Sequence, residues 1–302
     1  YFLRSGLLSI EPQTGHIKAW VGGINNKHFK YDAVAQQKRQ VGSTFKPFVY
    51  ATAINQLRRS PCDMLPNTPY TIPAGKYGIP EPWTPENSNQ KYGGMLTLKD
   101  GLAGSVNTIS ARLIDEVGPE NVVRLAKAAG IETEIQANPS IALGAVDLSL
   151  YEVLSEESAY VILNLLEGVT KSGSGIRLRS NWSSGGGSVT GFPYNFTNAI
   201  AGKTGTTQNQ SDGWFMGMVP NLATGVWTGG EDRATHFAGI AKGQGATMAL
   251  PTWALFMQKC YDDKTLNISK EDFEKPENLS ININCDEKPE ETNIGTSFDT
   301  DF

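Results

Sequence analysis

The sequence predicts an α+β fold, because strand-like runs lie near both ends of a chain whose middle carries helical patterns. Residues 7–10 and 17–21 are apolar runs on either side of a segment with turn chemistry, which predicts a β-hairpin. Residues 214–219 and 223–228 are joined by a Pro-Asn turn, which predicts a second hairpin. Strands formed this way pair as antiparallel neighbours, so the sheet is expected to be built largely from hairpins.

The helices are predicted from apolar periodicity and from signals at their ends. Helices are expected in five ranges: 43–54, 97–113, 119–129, 155–169 and 246–261. The second range contains Gly101 and Gly104, where we expect the helix to break. The third is well marked, since Pro119 stands at its first position and Gly130 just past its end.

Three stretches are predicted to lack regular structure. Residues 61–89 are rich in Pro, Asn and Tyr and are expected to form a loop along one side of a cleft. Residues 173–191 form a Gly/Ser-rich linker or loop. Residues 262–302 carry twelve Asp and Glu against four Lys, so they are expected to be a partly ordered acidic tail. We therefore divide the chain into a domain at 1–261 and a tail at 262–302.

Charge and composition exclude some functions. The whole chain carries a net charge of −5, and because the tail alone carries −8, residues 1–261 carry +3. A mildly basic domain suits a small anionic substrate, whereas nucleic acid would call for a dense basic patch. No apolar run reaches the roughly 18 residues of a membrane-spanning helix.

The three cysteines, Cys62, Cys260 and Cys285, are too few and too scattered for a metal site or a disulfide framework. Two alternatives fit the sequence equally well: a disulfide between Cys260 and Cys285, or free thiols. No metal or cofactor is predicted.

The chemistry is expected to begin at Ser43 and Lys46, which stand three residues apart at the predicted start of a helix. This spacing places both side chains on one face, so the amine can reach the hydroxyl. Serine needs a base to become a nucleophile, and lysine can be that base when burial or a second cation keeps it neutral. Alone, the pair also fits a serine that caps an ordinary helix.

Two further motifs follow in order. Ser105 and Asn107 form a Ser-x-Asn pair, and Lys203, Thr204 and Gly205 form Lys-Thr-Gly at an expected sheet edge. Alone, these residues also fit ordinary loop and strand positions. The order Ser-x-x-Lys, Ser-x-Asn, Lys-Thr-Gly is the signature of penicillin-binding proteins and serine β-lactamases. Three motifs in this order make chance a poor explanation.

Between about residues 7 and 261 the chain resembles the transpeptidase domain of class A, bifunctional penicillin-binding proteins. The resemblance includes residues 39–40 before the serine, Trp83, Pro85 and Asn87 in a Trp-x-Pro-x-Asn pattern, and residues 212–215. It implies a central, mostly antiparallel five-stranded sheet with helices on both faces, an all-helical subdomain, and an active site in the cleft between them. It also implies a longer protein with a glycosyltransferase domain and a membrane anchor, acting on the extracytoplasmic, periplasmic side.

The resemblance also implies catalytic roles. Ser43 would attack the penultimate D-Ala carbonyl of a peptidoglycan stem peptide, with Lys46 as base. Ser105 would pass a proton to the departing D-Ala amine, and Asn107 would hold Lys46 and a substrate amide. Lys203 would keep Lys46 neutral by repulsion between like charges. β-Lactam antibiotics would acylate the same serine.

Binding roles are implied for the backbone and for the third motif. The N–H groups of Ser43 and Thr206 would form the oxyanion hole. The substrate carboxylate would be held by Lys203, Thr204, Gly205 and Thr206.

One departure from the family is expected to matter. A strand-rich segment usually separates the region matching residues 143–145 from the helix matching 154–156, but here residues 151–153 run straight into that helix. We therefore hypothesise that a segment is missing or excised near Val153.

Two rival functions remain. A serine β-lactamase shares the motifs but needs a further group to activate the deacylating water. A non-catalytic β-lactam sensor would share the fold. His16, His28 and His236 lie outside the motifs and are interpreted as surface or packing residues.

Overall fold

The computed structural model describes residues 2–25, 27–28, 30–154, 160–179, 194–277 and 281–285. The described strands are β1 Arg4–Ile10, β2 Ile17–Val21, β3 Arg39–Gln40, β4 Met64–Pro66, β5 Met95–Thr97, β6 Asp147–Leu148, β7 Ala201–Thr206, β8 Asp212–Val219 and β9 Leu222–Gly229. The described helices are α1 Lys46–Leu57, α2 Leu98–Ala103, α3 Asn107–Val117, α4 Pro119–Ala128, α5 Leu150–Leu154, α6 Tyr160–Lys171, α7 Ile240–Gly243, α8 Gly245–Met248 and α9 Leu250–Asp262.

The five-stranded sheet has the order β2-β1-β9-β8-β7, and all its neighbours are antiparallel. The hairpins β1–β2 and β8–β9 confirm the two predicted from turn chemistry. Strand β7, which carries the Lys-Thr-Gly motif, lies at one edge of the sheet. Two short pairs, β3–β6 and β4–β5, lie outside it.

Both faces of the sheet are covered, because side chains alternate along each strand. On β8, Trp214 and Met216 belong to one core cluster, whereas Phe215 belongs to the other. The second cluster is closed by α9 through Trp253, which meets the Phe215 ring edge-on at 5.3 Å between centroids. The predicted α+β architecture, with helices on both faces of a five-stranded sheet, is confirmed.

Helix α1 is the central helix of the first cluster. Its residues 46–54 are buried or half-buried, including Phe48, Val49 and Ile54, whereas residues 55–57 are exposed. It packs against α3 and α4, and α2 packs against α6. Because residues 46–54 are enclosed by these neighbours, the N-terminus of α1 is held between the sheet and the helical part of the domain.

The helix that was expected at residues 97–113 breaks only once. Gly101 lies inside α2, so the predicted break at that residue is wrong. The chain leaves α2 at Gly104 and re-enters a helix at Asn107, and between them Ser105 has φ +56°. The predicted helix at 119–129 is confirmed as α4, between Gly118 and Gly130. The last predicted helix, at 246–261, is divided at Ala249 into α8 and α9.

Residues 155–159 and 180–193 lie outside the described residues. Three predictions fall on or beside them: the start of the helix at 155–169, the missing segment near Val153, and most of the Gly/Ser-rich stretch. The helix itself is described from Tyr160 to Lys171.

The cysteine pairing differs from the one considered above. Cys285 is bonded to Cys62, 223 residues away, with 4.9 Å between their Cα atoms. Cys260 is free and buried on α9. The partner was missed because Cys62 lies in the loop before β4, and cysteine spacing does not determine connectivity.

The disulfide fastens part of the predicted tail to the domain. Ile283 is buried in the first core cluster, and Phe273 and Ile281 pack against it. The Ser60 hydroxyl donates to the Asn282 carbonyl at 2.6 Å. The boundary at 261 stays a prediction, but Phe273, residues 281–283 and Cys285 contact the domain. Within the described ranges, no helix has the length and apolarity needed to cross a membrane.

Candidate active site

Ser43 lies on a short 3₁₀ turn, Gly42–Phe45, that leads directly into α1. In a 3₁₀ turn, residues i and i+3 eclipse one another, so Ser43 and Lys46 share one face. Pro47 is accommodated because it stands in the first turn of α1, where its missing N–H costs no hydrogen bond. The first hydrogen bond of the turn is donated by Thr44 N to Val41 O. Ser43 comes one residue earlier, so its N–H has no partner within the turn.

The turn packs closely against the edge strand β7. A Cβ atom on Gly42 would lie 2.7 Å from the Thr206 carbonyl oxygen, and one on Gly205 would lie 2.6 Å from the Val41 carbonyl oxygen. Gly42 also has φ +56°, which glycine adopts at little cost. Any larger residue at these two positions would separate the serine turn from the strand.

The register of β7 and β8 decides where the Thr206 backbone points. Thr207 N donates to Asp212 O at 3.2 Å, so the neighbouring pair, Thr206 and Gly213, is of the non-hydrogen-bonded kind. The N–H and C=O of Thr206 therefore point away from β8, toward the Ser43 turn. The two N–H groups predicted to form an oxyanion hole thus belong to adjacent, closely packed segments.

Lys46 is fully buried and reaches the Ser-x-Asn motif. Its Nζ donates to the Ser105 carbonyl at 2.7 Å and to Asn107 Oδ1 at 2.7 Å, and lies 3.3 Å from Ser105 Oγ. Lys203 is 1% exposed, and its Nζ donates to Ser105 Oγ at 2.9 Å and to the Thr204 carbonyl at 3.0 Å. Ser105 Oγ therefore lies between the two amines.

Burial controls the charge of both lysines. Loss of water around Lys46, and then the nearby Lys203 cation, lower the pKa of Lys46 well below its usual value. Burial lowers the pKa of Lys203 to about 7. A neutral Lys46 has two N–H bonds, and the Ser105 carbonyl and Asn107 Oδ1 accept both of them. Its lone pair is then left for a proton from a hydroxyl group.

We predict that replacing Ser105 by alanine or by glycine lowers the rate of β-lactam acylation about a hundredfold, because both changes remove the hydroxyl between the amines. The two variants should differ in stability. Residue 105 has φ +56°, which glycine adopts at less cost than alanine. The free energy of unfolding of Ser105→Gly should therefore exceed that of Ser105→Ala by about 1 kcal/mol, and its urea midpoint should be higher. An equal or lower midpoint for the glycine variant would contradict the strain assigned to this residue.

A cavity of about 540 Å³ opens beside the turn. Ser43, Asn107 and Thr206 line it, together with Trp83 and the loop that follows. Lys46 and Lys203 lie beneath its surface as buried residues. The described residues include no group of three or more His, Cys, Asp or Glu side chains placed to hold a metal ion. The three histidines are exposed.

Comparisons with known proteins agree with this geometry. Residues 6–142 match the penicillin binding protein transpeptidase domain. Penicillin-binding protein 1A of Aquifex aeolicus is 29% identical over 93% of this chain and 41% of its own length. Penicillin-binding protein 1A of Neisseria flavescens is 29% identical over 84% of this chain and 35% of its own length. The chain thus spans less than half the length of these curated relatives.

Residues 6–142, a little under half of the chain, are similar to the penicillin-binding protein transpeptidase family. The similarity to proteins named penicillin-binding protein 1A confirms the class A transpeptidase domain indicated by the motifs.

Solved structures show the same fold for penicillin-binding proteins. Penicillin-binding protein 1A from Haemophilus influenzae superposes with a TM-score of 0.76 at 22% identity, over 91% of this chain and 49% of that one. PonA1 from Mycobacterium tuberculosis, in complex with penicillin V, has a TM-score of 0.72 at 21% identity, over 95% of this chain and 84% of that one. The fold therefore extends beyond the matched residues 6–142.

Asn87 supports the Ser-x-Asn motif in a way that sequence reasoning did not identify. Its side chain is 4% exposed. Its Oδ1 accepts from Asn107 N at 3.0 Å and from Thr108 N at 3.2 Å, which caps the N-terminus of α3. Its Nδ2 donates to Asn67 Oδ1 and to the Lys91 carbonyl, both at 2.8 Å. The cap lies 20 residues before α3, so a search for local caps could not find it.

A buried ion pair supports the other side of the site. Arg39 Nε lies 3.2 Å from Asp212 Oδ1, which also accepts from Trp227 Nε1 at 3.0 Å. Trp214 Nε1 donates to the Gln40 carbonyl at 3.0 Å. These contacts fasten the residues before Ser43 to the sheet that carries β7. The family pattern contained residues 39–40 and 212–215 but did not show their pairing, and Trp227 was not part of it.

The two threonines of the third motif differ in their contacts. Thr206 Oγ1 accepts from Gly245 N at 2.9 Å, so its hydroxyl proton remains available. Thr204 Oγ1 lies 2.6 Å from Ser174 Oγ. Ser174 was not among the predicted site residues, and no motif marks it.

Proposed function

We propose that the chain is a serine D,D-transpeptidase that cross-links peptidoglycan stem peptides through an acyl-enzyme on Ser43. One observation carries the proposal: a buried chain of two amines joined by the Ser105 hydroxyl, next to a cavity that Ser43 lines. Within the penicillin-binding protein family, this arrangement supplies a base, a proton relay and a cation in the positions that acyl transfer needs.

In the acylation step, Ser43 Oγ attacks the carbonyl carbon of the penultimate D-Ala. Neutral Lys46 takes the hydroxyl proton on its lone pair, because its two N–H bonds are already donated to Ser105 and Asn107. The oxyanion is stabilised by the N–H groups of Ser43 and Thr206, which lie on adjacent segments.

Collapse of the tetrahedral intermediate requires a proton on the departing nitrogen. Ser105 Oγ is 3.3 Å from Lys46 Nζ and can receive a proton from it while giving its own to the D-Ala amine. Lys203, 2.9 Å from the same oxygen, orients that hydroxyl. The bond between the penultimate carbonyl and the terminal D-Ala nitrogen then breaks, leaving the ester on Ser43.

The substrate carboxylate is proposed to bind at the third motif. Lys203 provides positive charge from beneath the surface, and Thr206 provides a hydroxyl that lines the cavity. Thr204 and Gly205 complete this part of β7, with Ser174 beside Thr204. A β-lactam carries an equivalent carboxylate and a reactive amide. PonA1, which shares the fold, is described in complex with penicillin V, and this supports β-lactam binding here.

We further propose that the chain works as part of a longer, membrane-anchored protein on the extracytoplasmic side, with a glycosyltransferase domain that makes the glycan donor. The proteins named penicillin-binding protein 1A are more than twice as long as the region matched here, which supports this proposal. Water competing with the acceptor amine would give a minor D,D-carboxypeptidase activity.

The lifetime of the penicilloyl-enzyme tests this function against its rivals. We expect one covalent adduct per chain by intact mass, with a half-life of hours, which is the outcome that distinguishes a transpeptidase from a β-lactamase. Soluble D-Ala-D-Ala peptides should be cross-linked feebly, since a tethered donor is presented at roughly mM effective concentration and a free one is not. Turnover of penicillin within seconds would indicate a β-lactamase. A stable adduct with no use of any peptide or thioester donor would indicate a sensor.

A further inference from the structure

The loop that lines the cavity presents one carboxylate to it. Glu86 is exposed and lines the cavity, and it is the one ionisable side chain among the cavity-lining residues of the described structure. In the part of the chain that the structure describes, Glu86 forms no ion pair. An exposed acid without a cationic partner, in a cavity of this kind, is available to a ligand.

The backbone of Glu86 is held in place by the catalytic motif itself. Asn107 Nδ2 donates to the Glu86 carbonyl at 2.7 Å, and Asn107 Oδ1 accepts from Lys46. On one side, Pro85 restricts the chain. On the other, the buried side chain of Asn87 caps α3 and bonds to Asn67. The Glu86 side chain is therefore carried by a rigid segment two hydrogen bonds from the base.

Charges of opposite sign belong to different walls of the cavity. The amines of Lys46, which acts as the neutral base, and of Lys203, which supplies the cation, lie beneath the wall formed by the serine turn and β7, whereas Glu86 belongs to the loop wall. A carboxylate ligand is drawn to Lys203 and repelled by Glu86. An ammonium ligand has the opposite preference. A transpeptidase has one substrate of each kind, a donor that ends in a carboxylate and an acceptor that brings an amine.

We propose that Glu86 is the binding residue for the ammonium group of the acceptor. This inference rests on the proposed function. The ammonium binds at Glu86 and gives up one proton to water. The neutral amine then attacks the ester carbon of acyl-Ser43 and loses its second proton, the N–C bond forms, and the bond from that carbon to Ser43 Oγ breaks. Oγ leaves with a proton as the serine hydroxyl, so the charges and atoms balance.

The test compares two nucleophiles on one acyl-enzyme. The donor is a soluble thioester analogue of the stem peptide, and the acceptors are glycinamide, which is largely a cation at pH 7, and hydroxylamine, which is neutral there. For Glu86→Gln we expect the ratio of aminolysis by glycinamide to hydrolysis to fall about threefold to fivefold, as for loss of an exposed ion pair. Aminolysis by hydroxylamine and the rate of penicillin acylation should stay within about twofold. The glycinamide advantage should also weaken with added salt.

Glu81→Gln is the matched control, because Glu81 is exposed on the same loop and does not line the cavity. It should leave both ratios unchanged. Equal losses with both acceptors, or no loss with either, would overturn the ammonium site. A lower hydrolysis rate in Glu86→Gln would instead make Glu86 the base for water, which also contradicts the proposal. If penicillin fails to label even the wild-type protein, the proposed function fails, and this outcome is distinct from all the others.

Discussion

Replacing Ser43 by alanine is expected to abolish covalent labelling by a fluorescent penicillin. The substitution removes the only atom proposed to form the ester, and loss of a nucleophile that acts with its base as a unit costs about a millionfold in rate. Ser43 lines the cavity and is only partly buried, so the free energy of unfolding should change by less than about 1 kcal/mol. Gel fluorescence and intact mass measure the first effect, and urea unfolding measures the second.

Ser88→Ala is the matched control for this experiment, since Ser88 lines the same cavity but belongs to the loop wall. It should be labelled at nearly the wild-type rate. Persistent labelling of Ser43→Ala, with the adduct mapped to another residue, would show that Ser43 is not the nucleophile. Loss of labelling accompanied by a large drop in the urea midpoint would show a folding defect, and then Ser43→Cys or Ser43→Thr should be compared at equal stability.

Local signals were sufficient for much of the fold. The turn between residues 219 and 222 and the apolar runs on either side predicted the β8–β9 hairpin, because a hairpin is specified by residues that are close in sequence. The same holds for α4, whose Pro119 and Gly130 stand at its ends. That both hairpins belong to one five-stranded sheet was implied only by the family resemblance, since strands β1 and β9 are separated by most of the chain.

The supports of the site could not be predicted in this way. The Asn87 cap on α3, the pair between Arg39 and Asp212, and the Cys62–Cys285 disulfide all join segments that only the folded structure brings together. The left-handed conformation of Ser105 was also missed. At such a φ a glycine is expected, and the serine gives no local signal of it. The strain at residue 105 is therefore imposed by the folded site and not by the local sequence.

Replacing Lys203 by methionine is expected to separate catalysis from stability. Lys203 is the second cause of the lowered pKa of Lys46, so without it the pKa of Lys46 rises. In the proposed mechanism acylation requires neutral Lys46, so the rising limb of the pH profile for kcat/KM should move to higher pH. The variant also lacks the cation for the carboxylate, so kcat/KM should fall about a hundredfold at its own optimum. A shift of the limb to lower pH would contradict the assignment of Lys46 as base.

The same variant should be more stable at neutral pH. Burial lowers the pKa of Lys203 from 10.5 to about 7, so between these pH values the unfolded chain binds more protons at this residue than the folded chain. Wild-type stability should then rise with pH in that window, with a contribution from Lys203 of up to about 1.4 kcal/mol per pH unit. Lys203→Met removes this contribution, so its stability should gain most at pH 7 and least near pH 10. Urea unfolding at several pH values, with the exposed Lys127→Met as control, measures the difference. An equal pH slope for wild type and Lys203→Met would show that Lys203 stays protonated in the folded protein between pH 7 and 10. Lys203 would then repel a proton on Lys46 throughout that pH range, in addition to the effect of burial.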